Sequence, residues 1–377
     1  MSKNSFTTSL FNLPGWRTER KLVAIDSDDW GSIRLPSRHV KEVLYISGLN
    51  FDNQPYNRVD SLASSEDLTA LFDTLSGISD CKGNSPIITA NTIVANPDFE
   101  AIRASGFRDY FYEPFTRTLE RYPEHNDSFR LWIEGIKAKI FRPQYHGLHH
   151  ININRWMNSL CHESGIVRKA FDLGMFDLST ESWITENSFM DALNIKRLDE
   201  IPEIRKSISV GLNLFNELFG YRSMTFVAPS YIWHRRIETA LKENGIKVIK
   251  GAHYQLEPIP GEAHKFNKIY HYTGQKTRAG LIYLTRNASF EPSLAPKYDW
   301  IREVLKSAES AFFWRKPLII STHRLNFIGF IEKENRDKNL PKFKEMLISL
   351  LKTWPDLEFV STEEIGKMII NGYDQEY

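Results

Sequence analysis

The chain has 377 residues, 41% of them hydrophobic and 25% charged, with 48 Lys and Arg set against 47 Asp and Glu. A balance that close to zero leaves no electrostatic footprint for nucleic acid and no basic stripe for an anionic membrane surface. No apolar run reaches the ~18 residues of a spanning helix, and the opening "MSKNSFTTSLFNLPGW" lacks the basic start and apolar stretch of a signal peptide. Two cysteines far apart, Cys81 and Cys161, fit reduced thiols in a cytoplasmic protein.

In chain order, short apolar strands are expected at 21–26, 86–94, 140–146, 175–180, 224–230, 246–251, 280–287, 317–323 and 357–362. Helical patterns lie between them, at 61–78, 207–221, 235–245 and 340–354. The mixed-charge run "EKENRDKNLPKFKEM" reads as a solvated loop leading into the last of these. Apolar strands alternating with amphipathic helices imply a parallel sheet, and this number of units suits one closed barrel over 1–377. Residues 97–139 break the rhythm. They are rich in aromatic residues and read as two or three helices and a loop, an insertion over the barrel mouth or flank.

In parallel α/β architectures, functional groups collect at the carboxyl ends of the strands. Three polar clusters sit there: "SDDWGS" (27–32), "HGLHHIN" (146–152) and "THRLN" (322–326). His146 and His150, four residues apart, share a face on one helical turn. Two imidazoles and one carboxylate suit zinc and leave a coordination position open. Gly147 permits a tight turn from strand to ligand, and His149 stands as an alternative ligand. Of the adjacent acids Asp28 and Asp29, one completes such a site and the other serves as general base on metal-bound water. A divalent cation offsets their repulsion. The plainer reading of the same stretch is capping, with Asp and Ser at a helix start and Gly31 in a turn. His323 has the chemistry to protonate a departing amine or alkoxide. Tyr231, Trp183 and Trp233 follow strand ends and offer rings either to a sugar face or to the core.

The order and spacing of these motifs resemble the polysaccharide deacetylases of the NodB-homology type, the fourth carbohydrate esterase family. The matching segments are Asp28-Asp29, His146 to His150 as His-x-x-x-His, "FVAPSY" (226–231), "ISTH" ending in His323, and the closing "LEFVSTEEIGKMI". The resemblance implies a distorted (β/α)7-type, TIM-like barrel and metal-dependent removal of an acetyl group from an N- or O-acetylated sugar. It implies Asp28 as base, His323 as acid, and Asp29, His146 and His150 as ligands of a divalent metal, Zn²⁺ first. The backbone N–H of Ser230, where the family usually has Tyr, would help hold the oxyanion. Two departures stand out. The family Arg that pairs with the base falls at Val227, which leaves Arg34, Arg286 and Arg324 as substitutes. The Asp-Trp element that orients the catalytic His has no match, since "YDW" (298–300) adjoins a helix; Asp177 and Glu291 are the rival acids. Two other readings use the same barrel. One is a glycoside hydrolase with carboxylates ~5–9.5 Å apart, drawing on Glu291 or Glu181; the other is a non-catalytic carbohydrate-binding protein.

Overall fold

A computed structural model describes residues 12–162, 165–179, 188–262 and 265–374. Its strands are β1 (Leu22–Trp30), β2 (Ile88–Ile93), β3 (Ala95–Pro97), β4 (Tyr112–Pro114), β5 (Phe141–Gly147), β6 (Thr225–Val227), β7 (Val248–Gly251), β8 (Tyr254–Pro258), β9 (Phe266–Tyr270), β10 (Ile282–Thr285), β11 (Ala288–Ser289), β12 (Leu318–His323) and β13 (Glu358–Phe359). The main sheet is parallel throughout, in the order β10-β7-β6-β5-β2-β1-β12-β11, with β13 also paired to β1. Its two edge strands, β10 and β11, are consecutive in the chain and separated only by Arg286 and Asn287. The Arg286 N–H donates to Gly251 O beside β7 (2.8 Å) and the Asn287 N–H to Ile319 O of β12 (3.1 Å). The curled sheet is therefore drawn together at these two residues into a distorted barrel.

Strand periodicity sorts the side chains into an inside and an outside. Along β1, Val23 and Ile25 face outward onto the helices, while Leu22 and Ala24 face inward. Inward with them are Val248, Ile282, Leu284 and Ile319, closed off below by Ile365 and Ile369 of the helix Thr362–Asp374. That apolar plug fills the amino-terminal end of the barrel. Continuing the same alternation upward brings Asp26, Asn91, Lys250 and Arg286 into a buried polar layer. Asp28, His146 and His323 come above it.

In the polar layer, Lys250 Nζ donates to Asp26 Oδ1 (2.6 Å), Asn91 Oδ1 (2.5 Å) and Thr362 Oγ1 (3.2 Å). Removing one partner of a buried ion pair strands the other charge. Lys250→Met should therefore lower the unfolding free energy by about 3–5 kcal/mol in denaturant titration, with part recovered in the Asp26→Asn/Lys250→Met double variant. A cost within the noise of a surface substitution would mean that the layer is not closed as described.

Three sequence expectations are corrected. Residues 175–179 form no strand; the segment is held by side chains, with Asn57 Nδ2 donating to Asp177 Oδ2 (3.1 Å) and Ser179 O (2.8 Å). The mixed-charge run is helical from Lys333, because Arg336, Asn339 and Leu340 are buried and Arg336 pairs with Asp67 at 3.0 Å. Residues 97–139 contribute helices Phe99–Ala104, Phe115–Glu120 and Ser128–Lys137 and the β3-β4 pair. Their Ile102, Phe115, Leu119 and Trp132 join the main core, so the segment serves as the packed crossover from β2 to β5. Asp299 of "YDW" caps helix Trp300–Phe313 by accepting the Arg302 N–H. Cys81 and Cys161 are both free and exposed. Among the described residues no helix is long and apolar enough to cross a membrane.

Candidate active site

Regular alternation would send Asp28 and Asp29 to opposite faces of β1. The pairing of β1 with β2 slips between Ser27 and Trp30, where three steps on β1 match two on β2. This bulge, with Asp29 at φ 71°, turns both carboxylates into one cavity of about 220 Å³. A left-handed conformation costs a non-glycine residue about 1–2 kcal/mol. Ser230 (φ 55°) and Tyr231 (φ 57°), on the loop after β6, share that conformation and line the same cavity. Backbone strain of this kind persists where surrounding contacts impose it.

Asp29 meets two imidazoles. Its Oδ1 lies 3.5 Å from His146 Nε2 and 3.2 Å from His150 Nε2, and one ligand atom from each of the three falls within 4.8 Å of the others. His146 is on β5, and its Nδ1–H donates to Val227 O (2.9 Å), which leaves Nε2 to face Asp29. That arrangement is typical of a metal-binding histidine, whose second nitrogen is fixed by a backbone carbonyl. His150 sits in the loop before helix Ile153–His162, not on a shared helical turn with His146. The turn is made by Gly147 (φ 152°). His149 points away, packed on Tyr110 at 5.5 Å, and burial with the neighbouring His150 lowers its pKa to about 3.

Burial opposes charge on both Asp29 and His150, with different outcomes. For Asp29 it is outweighed by His150, His146 and Arg34, which hold the carboxyl well below its usual range. For His150 it prevails over Asp29 and keeps the ring neutral, as a ligand requires.

The formal charges also favour a cation. Asp26 and Asp28 stand against Lys250 and Arg286, and Glu291 stands against His323. Arg324 pairs with Asp60 at 2.9 Å. Arg34 is shared among Asp29, Asp60 and Asp177 at 3.4–3.7 Å. Three carboxylates thus divide two guanidinium groups, and the surplus negative charge lies where the imidazoles converge. Residue types, tautomer and charge all fit a divalent metal at Asp29, His146 and His150.

Asp28 belongs to a different constellation. Arg286 grips it with two parallel bonds, Nη1 to Oδ2 and Nη2 to Oδ1, each 2.6 Å, and reaches Asp26 through Nε (2.7 Å). Asn91 Nδ2 adds a bond to Asp28 Oδ1 (2.7 Å). Burial would favour the neutral acid, yet Arg286 wins and keeps Asp28 ionised far below neutrality. Of the three candidate arginines, Arg286 alone contacts Asp28 among the ion pairs of the described residues. Asp28 and His323 are register partners across β1 and β12, with His323 Nε2 3.9 Å from Asp28 Oδ2.

Of the two rival acids, Glu291 is the one on His323: its Oε1 accepts from Nδ1 (2.7 Å), while Oε2 accepts from Asn326 Nδ2 (2.7 Å). Asp177 serves Arg34 and Asn57 instead. Tyr56, edge-on to the His323 ring at 5.3 Å, completes the wall.

Ser230 lines the cavity, and its Oγ donates to Met190 O (3.1 Å). Tyr231 lines it too, its hydroxyl accepting from Arg286 Nη1 (2.9 Å). Trp233 does not reach it. Only 2% exposed, Trp233 packs with Ile237, Leu241 and Tyr283 in the core, which corrects its reading as a sugar platform. Trp183 and Glu181 lie outside the described residues. The sequence reading missed Asp26, Asn91, Lys250, Tyr56 and Asn326. The signal for Lys250 was a lysine inside an apolar strand, and for Asp26 an acid two residues before Asp28 on one strand.

No protein-family model matches the sequence, and no curated protein matches it. Solved structures resemble it at low identity. One assigned as a polysaccharide deacetylase of Mycobacterium smegmatis is 10% identical with a TM-score of 0.47, covering 96% of this chain and 94% of that one. Another so assigned, from Pseudomonas aeruginosa PAO1, is 10% identical with a TM-score of 0.44, covering 93% and 91%. The 4-alpha-glucanotransferase of Thermococcus litoralis is 9% identical with a TM-score of 0.46, covering 92% of this chain and 40% of that one. Likeness of this degree spans different chemistries and does not choose among them.

Proposed function

We propose that this protein is a metal-dependent hydrolase that removes an acetyl group from an N- or O-acetylated sugar or glycan precursor. The observation that carries the reading is the bulge in β1, which brings two adjacent carboxylates into one cavity with separate partners. Asp29, His146 and His150 would hold the metal, Zn²⁺ by donor set. When bound, the metal would polarise the acyl carbonyl and acidify a water.

The remaining work falls to the chain itself. Asp28, kept ionised by Arg286, accepts the proton of the attacking water. His323, held by Glu291 through Nδ1, donates from Nε2 to the departing nitrogen or oxygen. The strained turn at Ser230 presents its backbone N–H to the developing oxyanion. The glycoside-hydrolase reading is less favoured, because Glu291 does not line the cavity and is turned to His323 Nδ1.

The test is acetate release from acetylated mono- and oligosaccharides by metal-depleted and Zn²⁺-reloaded protein. Activity should vanish with a chelator and return with the metal. A hundredfold excess of Zn²⁺ over its dissociation constant should stabilise the fold by about 2.7 kcal/mol, an effect absent in Asp29→Asn. Chelator-insensitive activity would overturn the mechanism.

A further inference from the structure

On the barrel wall, a groove of about 420 Å³ lies between helix Ile201–Phe219, the turn Arg235–Ile237, the β8-β9 hairpin and β10. It shares no lining residue with the cavity that holds Asp28 and Asp29. We propose that this groove binds a phosphate-bearing ligand, with a diphosphate as the group it fits best. The inference concerns a second site and is independent of the hydrolase reading.

Positive charge collects there although the chain as a whole is nearly neutral. Arg205 comes from the helix, Arg235 and Arg236 from the turn, and Lys276 and Arg278 from the loop between β9 and β10. Against these five the lining offers one carboxylate, Glu238. That carboxylate is buried, its Oε1 accepts from the Tyr283 hydroxyl (3.2 Å), and burial raises its pKa. Arg235 is balanced by Glu257, which is not part of the lining, through Nε to Oε1 (2.7 Å) and Nη2 to Oε2 (2.6 Å). The remaining cations outnumber the acid.

Three guanidinium groups keep donors to offer. Arg205 donates from Nε (3.1 Å) and Nη2 (2.6 Å) to Arg236 O, which fixes the side chain and leaves Nη1 without an acceptor among the described residues. Arg236 and Arg278 are exposed, and among the described residues their side chains make no hydrogen bond or ion pair. Like charges gathered from three elements repel, and an anion that spans them turns the repulsion into charge-assisted hydrogen bonds. Each guanidinium presents a planar fork that a carboxylate or a phosphate can meet. One carboxylate, with two oxygens and one charge, satisfies one fork. A diphosphate has more oxygens and more charge, so it can meet forks on separate elements at once. Arg205, already held, loses little freedom when it does so. The volume of about 420 Å³ falls within the usual range of small-ligand clefts, about 300–1,000 Å³.

The probe is pyrophosphate, titrated calorimetrically into the full-length protein as purified and after chelator treatment, because the anion also binds metal ions. Saturable submillimolar binding should persist in the chelator-treated protein. It should weaken about tenfold or more in Arg236→Ala/Arg278→Ala, the loss expected for charge-assisted bonds. The melting temperature of that variant should stay at the wild-type value, since neither side chain has a partner to lose. Arg236→Lys/Arg278→Lys keeps the charge without the forks and should lie between the two, and acetate at the same concentrations should show no saturable binding. Pyrophosphate binding that disappears with the chelator, equal affinity in the alanine variant, or no saturation at millimolar pyrophosphate would each overturn the proposal. None of these readouts uses acetate release, so failure of the hydrolase reading leaves the groove standing, and the reverse also holds.

Discussion

Asp28→Asn should lower kcat for acetate release by about 100- to 10,000-fold, the usual share of a positioned general base, while Zn²⁺ content stays at the wild-type level. Asp29→Asn should behave differently, losing metal first and activity as a consequence. The contrast follows from the partners. Asp29 faces the His146 and His150 nitrogens, whereas Asp28 faces Arg286, Asn91 and His323. Asparagine keeps an acceptor for one arm of Arg286 but has no carboxylate to take a proton, so the loss should appear in kcat and little in KM. Metal analysis beside steady-state kinetics decides the matter. Activity within tenfold of wild type in Asp28→Asn, or metal lost from it, would reverse the two assignments.

Much of this arrangement was legible in the sequence, for identifiable reasons. The motifs lay at the ends of apolar strands, and a parallel barrel brings such ends together whatever their separation in the chain. Eight of the nine expected strands overlap observed ones, because strands buried on both faces read as continuous apolar runs. The ninth, at 175–180, failed because buried side chains can be held by one another without a ladder. His150 was expected one helical turn from His146, yet the convergence comes from a glycine turn that spacing alone cannot distinguish from a helix. Arg286 could be offered only as one of three, because nothing local says which arginine crosses the barrel. Its position between the two edge strands is a property of the closed sheet.

The bulge carries the main lesson. Strand alternation makes "DD" a poor motif in principle, since one of two neighbouring acids should face the helices. A single inserted residue and one left-handed backbone at Asp29 undo that rule. The polar layer beneath the site is the complement of this irregularity. Asp26 and Lys250 place a neutral ion pair under Asp28 and Arg286, so Asp28 rests on a charge-balanced floor and not on the apolar plug. The unbalanced negative charge is left at the corner where Asp29 meets His146 and His150.

The second large effect concerns pH. Burial alone would favour neutral His323, but Glu291, Asp28 and Asp29 outweigh it and raise its pKa to about 9. In the proposed role of proton donor His323 must be charged, so activity should be full below that pKa and fall as pH rises through it. The acidic limb should not come from Asp28, which Arg286 keeps ionised well below its ordinary range. Glu291→Gln removes the strongest opponent of burial. The alkaline limb should then move down by about 1–3 units, so that the variant falls further below wild type at pH 8 than at pH 6. A bound metal would lower the limb in both proteins, so the difference between them is the quantity to read. Metal-free protein offers an independent check of sign. The stabilisation from a charged His323 is complete below the unfolded value near 6.5 and is lost as pH rises towards 9, and the variant should lose it at lower pH. An alkaline limb that stays in place in Glu291→Gln would remove Glu291 from the role of orienting His323.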